Sequence, residues 1–147
     1  MQTRRQVLGS FGEDKVVKEC SCPKCKRTRS LKRLPPNFKC ADVICDFCGY
    51  LAQVKTTTVR QIDKIPSAVL GAAWDPQKER MAAAIYFPLF LVLVAGRSYS
   101  IFYLPADLQD PAIFRPRAAL SKTARRAGWQ GFIYSLASIS NRFVRLR

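Results

Sequence analysis

The stretch KCADVICDFCGYLAQVKTT, residues 39–57, decides how this chain is read. Two short apolar runs flank the pair Cys45-x-x-Cys48, which predicts two β-strands joined by a metal-clamped turn. Gly49 supplies the backbone angle that such a turn needs. With the turn centred near Phe47 and Cys48, Asp42 falls across the ladder from Gln53. Gln53 and Lys55 are two residues apart and project from one face of the second strand. A carboxylate, an amide and a lysine on one sheet face can hold a hard divalent cation, orient a water toward a phosphodiester and offset developing negative charge. By spacing alone the pattern D-x(10)-Q-x-K is weak, because a solvent-facing glutamine and lysine are the ordinary finding on a strand.

Working outward, a second pair, Cys22-Pro23-Lys24-Cys25, is separated from Cys45 by 19 residues. Cys22, Cys25, Cys45 and Cys48 have the ligand type and spacing of a four-thiolate structural zinc site, which defines a zinc-binding subregion at 20–49. Six cysteines could instead pair as disulfides. The opening Met1-Gln2-Thr3-Arg4-Arg5 is followed by no apolar run that would serve as a secretory signal, so a reducing, cytoplasmic setting is expected, and there zinc is the reading. Cys20 overlaps the first pair as C-x-C-x-x-C and can compete with Cys22. Cys40 reads as a small buried residue.

The 147 residues suffice for one domain, 1–147, with a real core. The net charge is +15, and its distribution is uneven. Residues 1–39 hold eleven basic and three acidic side chains, 40–110 hold six and seven, and 111–147 hold eight and none. Basic ends around a neutral middle favour a polyanion partner, with nucleic acid the first expectation and a generally basic soluble surface the alternative. No membrane partner is expected, since the one long apolar run is too short and too proline-interrupted to span.

That run, Tyr86 to Val94, is rich in β-branched and aromatic residues and predicts a central strand buried on both faces. Gly96-Arg97-Ser98 then turns into a second strand, Tyr99 to Leu104, ended by Pro105. Before the run, Pro66 to Trp74 has apolar residues at helical spacing, and Asp75-Pro76 is expected to cap a further helix reaching about Ile85. The fold class is therefore α/β. In the basic C-terminal segment, 115–147, Arg125 and Arg126 are adjacent, Gly128 permits close backbone approach, and Trp129 can stack on a base or sit in the core ahead of a strand at Gly131–Tyr134. Lys24, Lys26, Arg27 and Arg29 beside the first cysteine pair are candidate phosphate contacts, with simple solvation the alternative.

The order C-P-K-C, Ala41-Asp42, C-D-F-C, Gln53-Val54-Lys55 resembles the zinc-bearing PD-(D/E)xK nuclease domain of DpnI-type, methyl-directed restriction endonucleases. The segment Thr123-Ala124-Arg125-Arg126-Ala127-Gly128-Trp129-Gln130-Gly131 is similar to the T-A-R-R-A-G-W-x-G stretch of the same enzymes. The resemblance covers roughly Cys20 to Leu136. It implies a PD-(D/E)xK mixed sheet and a magnesium-dependent DNA endonuclease acting on double-stranded DNA. Asp42 would be the magnesium-binding aspartate, Gln53 would occupy the usual acidic position, and Lys55 would be the motif lysine. Gln53 departs from the expected Asp or Glu, removing one negative charge while keeping a carbonyl oxygen, as in Q-x-K variants that resemble Mrr-type nucleases. With the sequence running to Arg147, the winged-helix reading domain of the DpnI-type enzyme is not expected. Two other readings stand beside the nuclease: a non-catalytic zinc-ribbon nucleic-acid-binding module, and a zinc-stabilised protein adaptor.

Overall fold

A computed structural model describes residues 2–36, 38 and 41–147. In chain order the strands are β1 (Leu31–Arg33), β2 (Val43–Cys45), β3 (Leu51–Thr58), β4 (Ala68–Ala73), β5 (Leu89–Ala95), β6 (Ser98–Leu104), β7 (Phe114–Pro116), β8 (Gly131–Ser135) and β9 (Val144–Arg145). Helices are α1 (Arg4–Glu19) and α2 (Trp74–Ala82). They divide between two compact units, one of Met1–Asp63, Phe87–Ala106 and Phe143–Arg147, the other of Lys64–Tyr86 and Asp107–Arg142.

The first unit is a six-stranded mixed sheet in the order β1-β2-β3-β5-β6-β9. Its one parallel pair is β3 with β5; the others run antiparallel. The expected hairpin is present, with Val43 opposite Ala52 and Ile44 opposite Leu51. The run after Tyr86 is the buried strand β5, from Leu89 through Leu93 at most 2% exposed, and Ser98–Leu104 pairs back on it as expected. β3 alternates: Ala52 and Val54 are buried with Val16 of α1, Leu31, Val43, Phe90, Val92 and Ile101. Gln53 and Lys55 point to the opposite face.

Helix α1 was not foreseen by the sequence reading. It starts with a reciprocal capping box, Gln6 N–H donating to Thr3 Oγ1 (3.2 Å) and Thr3 N–H to Gln6 Oε1 (2.8 Å). It buries only Gly12 and Val16. A Cβ at Gly12 would lie 1.7 Å from Thr56 Oγ1, so this glycine lets the helix backbone pack directly on the Thr56 side chain.

The second unit is the antiparallel sheet β4-β8-β7 with α2. Here the structure corrects the sequence reading, because residues 68–73 form β4 rather than a helix. Alanine at apolar spacing favours a helix locally, but pairing from Ala68 opposite Ser135 to Ala73 opposite Gly131 overrides that preference. Gly71 seats the Phe132 ring, which stands in a cluster with Phe114, Tyr134 and Trp74. The cap of α2 is also corrected. Its N-cap is Ala73, with no side-chain bond, and Asp75 lies in the first turn. The expected strand at Gly131–Tyr134 is β8. Among the described residues no helix is long and apolar enough to cross a membrane.

Candidate functional site

Two turns of the first unit bring the four predicted cysteines together. In the first, Lys26 N–H donates to Cys22 O (2.9 Å); in the second, Gly49 N–H donates to Cys45 O (2.9 Å). Both fifth positions take a left-handed backbone, φ 65° at Lys26 and 79° at Gly49. These paired knuckles hold the sulfurs of Cys22, Cys25, Cys45 and Cys48 within 4.8 Å of one another, with Cys22 to Cys48 at 3.6 Å and Cys25 to Cys45 at 3.7 Å. Four thiolates about 2.3 Å from a tetrahedral zinc stand about 3.8 Å apart, so the cluster fits that ion and is far too open for disulfides. Burial pushes the Cys45 thiol up, but Ser30, 3.3 Å away, and the N–H groups of Cys48 and Phe47 outweigh it and hold it down to about 6. Anionic sulfur is the form a metal takes. Cys20 is outside the cluster; burial raises its thiol to about 11, as for an inert core residue. Cys40 lies outside the described residues.

Asp42 stands where the β2–β3 ladder opens. Its N–H donates to Ala52 O (3.0 Å), its carbonyl accepts from Leu34 N–H (2.9 Å), and its carboxylate Oδ2 accepts from Val54 N–H (2.8 Å). The two backbone bonds fix the residue and the third holds its carboxylate, and one more step of the register sets Asp42 opposite Gln53. Gln53 is half-buried, and its N–H donates to Pro88 O (2.8 Å). Lys55 pairs in register with the fully buried Leu91. Burial lowers its pKa below the usual lysine value, and the charge of Asp42 works in the other direction. Asp42 and Lys55 therefore lie within electrostatic reach of each other.

The sequence reading missed a third ionisable group. Glu13 of α1 sits against Asp42, and its pKa is raised, first by burial and then by the Asp42 charge, while Arg33 (2.7 Å) pulls it down. Asp42 and Glu13 line a cleft of about 370 Å³ together with Gln2, Gln6, Ser10 and Arg33. The polar residues Gln2, Gln6, Ser10 and Glu13 recur at helical spacing, a signal visible in the sequence once α1 is known. Nothing in the sequence ties that stripe to Asp42.

Lys24 and Lys26 are exposed on the first knuckle. Arg125 and Arg126 belong to the second unit, in the loop between β7 and β8, and are also exposed. That loop is closed by Leu120 N–H to Trp129 O (2.9 Å) and Gly128 N–H to Leu120 O (3.0 Å). Trp129 is half-buried; its ring edge packs on Gly131, and the Arg126 guanidinium lies 4.7 Å from its ring. This is an intermediate outcome between a free stacking ring and a core tryptophan. The model of the DpnI family, described as the Dam-replacing family, matches residues 2–144.

Proposed function

Because this chain belongs to the DpnI, or Dam-replacing, family of restriction-type nucleases acting on methylated DNA, we propose that it is a magnesium-dependent endonuclease. It hydrolyses phosphodiester bonds of double-stranded DNA at the Asp42 cleft. The observation that carries this reading is that Glu13 of α1 and Asp42 just ahead of β2 line one cleft, with Lys55 of β3 within electrostatic reach of Asp42. The PD-(D/E)xK reading is supported by the element order: α1, then antiparallel β1, β2 and β3, with β5 parallel to β3.

The donor set fits a hard divalent cation. Burial and then the charge of Asp42 raise Glu13, and a cation bound between the two carboxylates would relieve their repulsion. Asp42, Glu13 and the side-chain oxygen of Gln53 would hold magnesium, whose Lewis acidity toward a phosphoryl oxygen is the chemistry it supplies. Glu13 thus offsets the charge that Gln53 lacks. Lys55 orients the attacking water and stabilises negative charge developing on the phosphate. Arg33 holds the Glu13 carboxylate in place beside Asp42. Arg125, Arg126 and Trp129, with Lys24 and Lys26, contact the DNA.

The test is nicking of supercoiled plasmid, methylated and unmethylated, with magnesium or manganese. Wild type is expected to cut. Asp42→Asn and Lys55→Ala should abolish cutting, with zinc content and DNA binding kept. Asp42→Asn and Glu13→Gln should also weaken manganese binding in a calorimetric titration. Gln53→Glu should lower the magnesium concentration for half-maximal cutting. If wild type and Gln53→Glu are both inactive on either DNA with every divalent metal tried, the chain is instead a non-catalytic zinc-ribbon nucleic-acid-binding module.

A further inference from the structure

The tip of the second knuckle carries an aromatic ring that neither the metal cluster nor the cleft uses. Phe47, between the ligands Cys45 and Cys48, is 62% exposed. The Arg27 guanidinium lies over the ring, 3.8 Å from its centroid, and the side chain stays mostly exposed. Lys24, Lys26 and Arg29 are exposed around the first knuckle. Between Cys20 and Ala41 the sequence has seven basic residues and no acidic one. The nearby carboxylate of Asp46 faces Lys32 at 3.9 Å.

Two details go beyond general basicity. Lys26 and Arg29 both hold a left-handed backbone, φ 65° and 55°, which costs a side-chain-bearing residue about 1 kcal/mol where glycine sits freely, as Gly49 does at the matching position. The knuckles therefore present cations at positions where backbone preference disfavours them, and strain of this kind clusters at ligand-gripping sites. In addition, an exposed phenylalanine on a metal-clamped turn is already rigid, so little freedom is lost when a flat partner covers it.

We propose that the paired knuckles form a second DNA contact, apart from the cleavage cleft, in which Phe47, backed by Arg27, stacks on a base or sugar while Lys24, Lys26 and Arg29 take the adjoining phosphates. In this contact Arg27 takes one ring face and the nucleotide the other, and the cations match the charge of a DNA backbone. The proposal rests on the DNA-cleaving reading above, which already sets Lys24 and Lys26 on the DNA, and adds to them a stacking ring, Phe47, with Arg27 and Arg29.

The test uses the full, zinc-loaded chain and duplex and single-stranded DNA oligonucleotides, with calcium in place of magnesium, titrated over a range of salt. Phe47→Ala should weaken DNA binding about tenfold with an unchanged salt slope, since stacking contributes on the order of 1–3 kcal/mol and releases no counterions. Lys24→Gln with Lys26→Gln should flatten the slope by about 0.9 per lysine on a duplex. Phe47→Leu, which keeps apolar bulk without a flat ring, should stay near the alanine value. Zinc content and melting temperature of each variant establish that it is folded. If wild type binds DNA and these folded variants bind it equally well with the same slope, the knuckle contact is wrong while the nuclease reading stands. If wild type binds neither DNA, both fall.

Discussion

At Lys55 burial and charge oppose each other. Burial disfavours its ammonium, which costs stability, and the charge of Asp42 offsets part of that cost. The folded pKa is below the unfolded value, so between the two the unfolded chain binds more protons and stability rises with pH. Below the folded pKa the full cost is present; above the ordinary lysine value of 10.5 it is gone. Lys55→Met should therefore stabilise the protein at neutral pH by about 1 kcal/mol, while cutting is lost. Thermal melts should show the gain shrinking as pH rises toward that value. A melting temperature equal to or below wild type at neutral pH would mean that the lysine is not held at a cost. The alignment of Asp42 with Gln53 and Lys55 was readable because hairpin register is a local property. Glu13 was not, because its place beside Asp42 depends on how α1 docks.

The docking of α1 turns on one close approach. Only Gly12 and Val16 are buried, and two glycines interrupt the helix, so neither an apolar stripe nor propensity announces it. Gly12→Ala would improve helix propensity by about 1 kcal/mol in isolation. Here the new Cβ meets Thr56 Oγ1 at 1.7 Å, so overpacking should win and the protein should lose about 1–3 kcal/mol in a denaturant titration. Adding Thr56→Ala removes the hydroxyl but leaves Thr56 Cβ, 2.9 Å from the new atom, so recovery should be partial. A Gly12→Ala variant as stable as wild type would show that α1 can shift outward. The manganese affinity of the Asp42 cleft should then change too, because Glu13 moves with the helix. The same limit of local reading explains β4. Ala68–Ala73 favours a helix alone and becomes a strand only against β8.

For the whole molecule the four-cysteine cluster is the long-range link, and with a metal bound it becomes a clamp. It ties the residue run after α1 to the β2–β3 turn, across the 19 residues between Cys25 and Cys45. The purified protein should contain about one zinc per chain, and Cys48→Ser or a strong chelator should lower the melting temperature sharply, because metal affinity is folding free energy here. A folded protein that contains no metal would overturn this. The sequence by itself determined the four-sulfur cluster, the central strand β5 and the alignment of Asp42 with Gln53 and Lys55. Each is written in short spacings or in one apolar run, where neighbouring residues carry the information. Only the tertiary structure decided that α1 brings Glu13 to Asp42 and that residues 68–73 pair as a strand. Those outcomes depend on contacts between residues far apart in the chain, whose energies no local pattern encodes.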